Sequence, residues 1–186
     1  TTETIFLALL GYFILKEKIK SITLISIILG MLGVLLILGS SLSIQTSEQF
    51  VGNLVAFIMP ISFAVLVIII RKYPKIDMVP AQFTAGILAA FIGFVVAGKL
   101  SISFHDLTLA FLAGFFQIGF GFILITVGSQ RTPAAVVGVL MLTESVFGPL
   151  WAWIFIKEVP PISVILGGGI IIFSIILQSF YGKKSS

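Results

Sequence analysis

The chain has 186 residues, of which 59% are hydrophobic and only 10% charged, whereas a typical soluble domain is about 45–50% apolar and about 25% charged. A soluble fold of this size could not bury so much apolar surface, so we expect lipid to surround most of it. The net charge of +4 does not indicate nucleic acid, because the basic residues stand in short clusters between apolar runs. Cysteine is absent and His105 is the single histidine, so neither a metal centre nor another cofactor is expected.

Seven apolar segments follow one another along the chain, separated by residues that favour turns. They cover residues 1–15, 21–39, 50–70, 79–97, 107–128, 133–156 and 162–180. All but the first have the length of a membrane-spanning helix, about 20 residues at about 1.5 Å each. The first is shorter and no basic region precedes it, so we expect the chain to begin within a membrane helix rather than with a signal peptide. Thr132 before Pro133 is a helix-start signal for the sixth segment.

The basic residues are distributed unevenly when the segments alternate across a bilayer. One side receives Lys16, Lys18, Lys20, Arg71, Lys72, Lys75, Arg131, Lys183 and Lys184, and the other receives Lys99 and Lys157. Cytoplasmic loops carry an excess of lysine and arginine. We therefore predict a plasma membrane protein, in the inner membrane if bacterial, with a cytoplasmic C-terminus.

The sixth and seventh segments repeat the first and second at a constant difference of 141 positions, as from Glu3 to Glu144. Thr2-Glu3 matches Thr143-Glu144, and Lys16-Glu17 matches Lys157-Glu158. Apolar residues match by chance in any two membrane helices, but polar pairs at one common spacing do not. The sixth segment lies an odd number of spans after the first, so the copies cross the bilayer in opposite directions. Inverted repeats of this kind recur in secondary transporters.

Four stretches of the second half carry a family resemblance. They are residues 119–122 (Gly-Phe-Gly-Phe), 131–135 (Arg-Thr-Pro-Ala-Ala), 142–153, and 157–160 (Lys-Glu-Val-Pro). Together they resemble the second EamA domain of the drug/metabolite transporter superfamily. The resemblance covers essentially the whole chain and implies a ten-helix bundle of two inverted five-helix repeats, with three helices upstream of residue 1. The family usually has Gly-Glu where this chain has Lys16-Glu17 and Lys157-Glu158.

The repeat and the resemblance together predict that the chain has four parts. Residues 1–39 end the first repeat, 40–49 form a linker, 50–180 form a complete second repeat, and 181–186 are a cytoplasmic tail.

Glu144 is the most informative residue, because it lies near the middle of the sixth segment, between Pro133 and Lys157. A charged carboxylate at that depth costs about 2.5–3.5 kcal/mol, so it should face a cavity or a partner, or carry a proton. A carboxyl that faces a cavity or carries a proton could bind the coupling proton or a substrate ammonium group. The alternative is that Glu144 only packs against a neighbouring helix. Trp151 shares its helical face and should point to the cavity, whereas Trp153 should point to lipid.

Two further polar residues are candidates for the same cavity. Glu3 is the repeat partner of Glu144, and two carboxyls related by a pseudo-two-fold axis would make a cation or proton site. Gln117, in the middle of the fifth segment, could bond the substrate or Glu144, and structural packing is an equal alternative.

Glycine and proline positions predict packing or gating. Gly114 and Gly121 lie near the face of Gln117, and Gly167 opens a glycine triplet in the seventh segment, so close helix contacts are expected there. Pro60 and Pro149 lie inside apolar segments and should kink them.

The favoured function is a secondary transporter, an exporter by family resemblance, that moves a small metabolite, amino acid or drug by alternating access. The expected partners are the substrate, the lipid bilayer and protons, with a homodimer as one assembly that the fold allows and no role for nucleic acid. An intramembrane lipid-modifying enzyme is the alternative, but His105-Asp106 has no nearby nucleophile. A helical assembly protein without transport would explain the repeat but not the paired carboxyls.

Overall fold

The computed structural model describes residues 2–39, 55–98 and 102–182. Every regular element in these ranges is a helix. The helices are α1 (Glu3–Leu15), α2 (Ser21–Gly39), α3 (Ile58–Lys72), α4 (Val79–Val96), α5 (Phe104–Ser129), α6 (Ala134–Ile156) and α7 (Ile162–Tyr181). The predicted linker at 40–49, the first residues of the third segment and the last four residues of the tail lie outside the described residues.

Five helices, namely α2, α4, α5, α6 and α7, are long and apolar enough to cross a membrane. Helices α1 and α3 are shorter, with 13 and 15 residues. Large apolar side chains are exposed on all of them, and no residue of α4 is buried within the described protein. Helices satisfy their backbone hydrogen bonds internally, so this apolar exterior is stable in lipid. The predicted class, an all-α membrane protein, is confirmed.

The chain forms two compact units, and unit 1 comprises residues 1–69 and 132–186. Helices α2 and α7 pack antiparallel in this unit, because Gly30 lies beside Ser174 whereas Gly33 lies beside Gly167. Helices α1 and α6 are antiparallel as well.

Two apolar clusters lie in the core of unit 1 among the described residues. Ala8 of α1 and Ile27 of α2 pack with Ala135 and Val139 of α6. The second cluster joins Val34 of α2, Leu142 of α6 and Ile171 of α7. The first cluster contains α1 and α6, and the second contains α2 and α7, so each cluster joins two helices that the repeat relates. Both of these pairs are antiparallel, as an inverted repeat predicts.

Unit 2 comprises residues 70–131, with α4, α5 and the end of α3. Two polar contacts hold its helices. Gln82 Nε2 of α4 donates to Thr126 Oγ1 of α5 over 2.5 Å, and Arg71 donates to the carbonyl of Gln130 over 3.0 Å. A buried hydrogen bond between apolar helices favours one pairing over its alternatives.

The winding of α5 and α6 is irregular. Helix α5 is a π-helix over Ala113–Phe120, and α6 is a π-helix over Ala152–Ile156. Helix α6 is also interrupted at Leu142, between Ala134–Met141 and Thr143–Trp151. Irregular turns of this kind are frequent at functional sites in membrane helices.

Candidate substrate and proton site

Helices α1 and α6 approach each other closely beside Glu3. Thr4 Oγ1 donates to the carbonyl oxygen of Gly138 over 2.8 Å, and both residues are buried. A Cβ added at Gly138 would lie 3.0 Å from Thr4 Cα, so a larger residue there would require the backbone of α1 to shift. Because Thr4 follows Glu3 directly, this contact fixes the position of Glu3 relative to α6.

Because α1 and α6 are antiparallel, Glu3 and Glu144 lie on the same side of the contact between Thr4 and Gly138. Glu3 is half-buried on α1, whereas Glu144 is exposed on α6 within the described structure. Both carboxyls that the repeat relates thus lie toward the same end of unit 1, and their action as one site stays a prediction.

Helix α6 is tightened directly before Glu144. The amide of Ser145 donates to the carbonyl of Leu142 over 3.1 Å, and Thr143 Oγ1 donates to the carbonyl of Leu140. The amide of Leu142 likewise donates to the carbonyl of Val139 over 3.2 Å. These two backbone bonds connect residues three apart rather than four, so the helix narrows for one turn. Glu144 lies directly after this turn, in the helical piece Thr143–Trp151.

An aromatic ladder continues the face of α6 beyond Glu144. The rings of Phe147 and Trp151 stack with their centroids 6.4 Å apart, and Trp151 meets Phe155 at 5.5 Å. Trp151 and Trp153 are both about half exposed, at 52% and 48%. Their exposure does not distinguish a cavity side from a lipid side, so the predicted orientation of the two tryptophans stays a prediction.

Gln117 belongs to unit 2, where it is exposed within the π-wound part of α5. Its predicted place beside Glu144 stays a prediction. A Cβ added at Gly114 or Gly121 would meet no atom within 4 Å in the described ranges. No close helix contact forms at these two glycines among the described residues, and the predicted contact stays a prediction.

Gly167 does lie at a close helix contact. A Cβ added there would be 2.5 Å from the carbonyl oxygen of Gly33, and one added at Gly33 would be 2.6 Å from that of Gly167. The two glycines thus let α2 and α7 touch through their backbones.

The two prolines differ in their place along their helices. Pro149 lies inside α6, where it cannot donate to the carbonyl of Ser145, and the π-wound stretch follows. Pro60 is the third residue of α3, and residues 55–56 just before that helix are helical as well. The kink expected at Pro60 stays a prediction.

Glu17 has a role that sequence reasoning missed. Its Oε2 accepts a hydrogen bond from the amide of Ala134 over 2.9 Å, although the two residues lie 117 positions apart. Pro133, not Thr132, precedes the helix as its N-cap residue, and it provides no side-chain cap. The Glu17 carboxylate takes that place, and a helix cap of this kind is typically worth about 1 kcal/mol.

Both Lys-Glu pairs of the repeat have the same unusual backbone. Lys16 and Lys157 are the two non-glycine residues with positive φ among the described residues, at 55° and 66°. Each is the C-cap residue of its helix, in the left-handed conformation that glycine adopts without strain. The equivalence found in the sequence therefore extends to the backbone at the helix ends.

These features define the class of the protein: a polytopic, all-α membrane protein in which the helices that the sequence repeats pack antiparallel. The chain belongs to the EamA-like transporter family, which matches residues 47–180.

Two relatives are similar along essentially the whole chain. One is an uncharacterized transporter of Clostridium kluyveri, 26% identical over 195 residues, which cover 100% of this chain and 63% of that protein. The other is an uncharacterized transporter of Methanothermobacter thermautotrophicus, 26% identical over 190 residues, 98% of this chain and 55% of that protein. The chain thus spans about three fifths of the length of these relatives. No solved structure matches it.

Proposed function

We propose that the protein is a secondary transporter that exports a small metabolite, amino acid or drug by alternating access. The observation that carries the proposal is that Glu3 and Glu144 lie on the same side of the antiparallel α1–α6 contact. Carboxyls at membrane depth are costly and serve ion or substrate pathways in most membrane proteins. The family and the printed names of the relatives support transport, and export rests on family resemblance.

In the proposed mechanism the two carboxyls exchange protons for a cationic or ammonium-bearing substrate. Two carboxylates that share one site repel each other, so protonation of one, or binding of a cation between them, lowers the energy of the pair. A proton and a substrate cation cannot occupy the carboxyl pair at the same time. Release of one therefore accompanies binding of the other, which couples substrate movement to proton movement. The aromatic ladder from Phe147 through Trp151 provides faces for an apolar or cationic substrate group.

The distribution of basic residues supports an orientation for this transporter. Nine of the 11 lysines and arginines fall on the side of the α1–α2 loop and the C-terminus. We place that side in the cytoplasm of a plasma membrane, the inner one if the source is bacterial.

Transport in proteoliposomes tests the proposal. A panel of labelled amino acids and aromatic amines is measured with and without a pH gradient, for the wild type and the Glu144→Gln and Glu3→Gln variants. We expect each variant to lose most gradient-driven transport, on the order of tenfold or more, because a neutral amide cannot exchange the coupling proton. Glu158→Gln is the matched control, since it removes an exposed carboxyl at the end of α6.

Two results would contradict the proposal. Gradient-driven transport that is unchanged at every pH in Glu144→Gln would remove this residue from the mechanism. An equal loss in Glu158→Gln would show that total charge, not the paired carboxyls, sets the rate.

A further inference from the structure

A cavity of about 400 Å³ opens at one end of unit 1. It lies between the C-terminal ends of α1 and α7 and the N-terminal ends of α2 and α6. These are helix ends at which the chain leaves the hydrocarbon core, so the cavity lies at the depth of the lipid headgroups. It is separate from the carboxyl pair, because neither Glu3 nor Glu144 lines it.

The charges that line this cavity are unbalanced. Glu17, Lys18 and Lys20 contribute one negative and two positive charges. Glu17 is held by the amide of Ala134. Lys20 donates to the carbonyl of Gly182 over 3.2 Å, which fixes its ammonium group at the cavity, and Lys18 is exposed. The remaining positive charge attracts an anion, and lysine is a common partner of phosphate groups.

A buried amide at the same cavity needs a hydrogen-bond donor. Gln178 lines the cavity and is only 5% exposed, yet its Oε1 has no hydrogen-bond partner within the described ranges. A buried acceptor without a donor is unfavourable, so such groups are normally satisfied by water or a ligand. A hydroxyl group on the bound molecule would supply the donor.

The cavity is also lined by apolar side chains. Ala8, Ile19, Val136 and Leu140 contribute to it. A cavity lined by both lysines and aliphatic side chains matches an amphipathic ligand at the membrane interface. A soluble phosphorylated molecule shares the phosphate chemistry but has no group for the apolar side chains.

We propose that this cavity binds the headgroup of an anionic phospholipid that carries headgroup hydroxyls, as phosphatidylglycerol does. Lys18 and Lys20 bind the phosphate, and a small shift of the Gln178 side chain lets its Oε1 accept a hydrogen bond from a hydroxyl. The glycerol backbone with its ester groups lies against the apolar side chains that line the cavity, and the acyl chains lie in the bilayer. The bound lipid thereby joins the α1–α2 turn to the end of α7.

Native mass spectrometry of the full-length, detergent-purified protein tests this site. Phosphatidylglycerol and phosphatidylcholine are titrated against the wild type, a Lys18→Gln/Lys20→Gln variant and a Lys72→Gln/Lys75→Gln control. The control loses the same charge from the same predicted side but outside this cavity. We expect the wild type and the control to retain one phosphatidylglycerol in preference to phosphatidylcholine. The first variant should bind it about tenfold more weakly, because two charge-assisted contacts are lost.

A second variant tests the hydroxyl contact. Gln178→Met keeps the length of the side chain but removes its acceptor. It should bind phosphatidylglycerol no better than phosphatidic acid, which has no headgroup hydroxyl, while the wild type prefers phosphatidylglycerol. A thermal melt of each variant without lipid confirms that it is folded.

Three outcomes would overturn the proposal: unchanged binding in the Lys18→Gln/Lys20→Gln variant, an equal loss in the control, or displacement of the lipid by millimolar inorganic phosphate. The last would assign the cavity to soluble phosphates. Lipid retention is measured without transport, so the result is independent of the proposed transport activity.

Discussion

Lys16 and Lys157 occupy equivalent positions of the repeat and have the same backbone conformation. Both adopt positive φ at the C-terminal ends of equivalent helices. A residue with a Cβ pays about 1–2 kcal/mol for the left-handed conformation, whereas glycine does not. The family pattern of Gly-Glu at these positions therefore has a conformational reason, and this chain tolerates lysine in its place at a cost.

Replacing Lys157 by glycine should stabilise the protein by about 0.5–1 kcal/mol, the strain relieved less the larger entropy that glycine has when unfolded. Unfolding of the detergent-solubilised protein by denaturant measures the change. Lys157→Ala is the control, because it removes the charge but keeps the Cβ, and we expect it not to stabilise. A gain in Lys157→Ala equal to that in Lys157→Gly would mean that charge, not backbone strain, is responsible.

The sequence predicts the carboxyls at the site better than their surroundings. The repeat alone relates Glu3 to Glu144, because matching polar residues at a constant difference of 141 positions can be recognised in the sequence without a structure. The contact of Thr4 with Gly138 was not predicted, because a threonine and a glycine in an apolar helix are unremarkable until a second helix meets them. The cap from Glu17 to Ala134 was missed for the same reason: it joins residues 117 positions apart.

At the scale of the helix, the sequence predicts that glycines lie at close helix contacts, but it does not show which glycines do so. Gly114, Gly121 and Gly167 were equally plausible contact positions, yet only Gly167 meets another backbone in the described structure. Helix α5 is exposed on every face around Gly114 within the described structure, so no neighbouring helix is there to contact it. The π-wound stretches of α5 and α6 also change the direction in which later side chains point. A regular helical wheel drawn from the sequence cannot include such shifts.

The glycine triplet of α7 gives a matched test of helix packing. Gly167→Ala places a Cβ 2.5 Å from the carbonyl oxygen of Gly33, whereas a Cβ at Gly169 meets nothing within 4 Å in the part of the chain that is described. We expect Gly167→Ala to lower the free energy of unfolding by about 1–3 kcal/mol, the usual cost of overpacking. Gly169→Ala should leave it unchanged or raise it slightly. Comparable losses in both variants, read from thermal melts in detergent, would contradict the α2–α7 contact.

For the whole molecule, the predicted all-α class and the order of the seven helices agree with the structure, because apolar length and turn residues are local signals. The orientation of repeated helices is not local, and it followed from counting spans between the two copies. The structure places α1 antiparallel to α6, with Gly11 beside Ala134 and Thr4 beside Gly138. The two helices therefore end at opposite ends of unit 1, which is the geometry that the transport proposal requires.

Cysteine labelling tests this geometry in the membrane. These 186 residues contain no cysteine, so Lys18→Cys and Val159→Cys each introduce one thiol just beyond the end of α1 or α6. Because the two helices are antiparallel, a membrane-impermeant maleimide should label position 159 from outside intact cells. Position 18 should react only in inverted vesicles, since its loop lies on the side with nine of the 11 basic residues. Labelling of both positions from the same side would show that the copies are parallel, and a carboxyl pair related by an inverted repeat could not then exist.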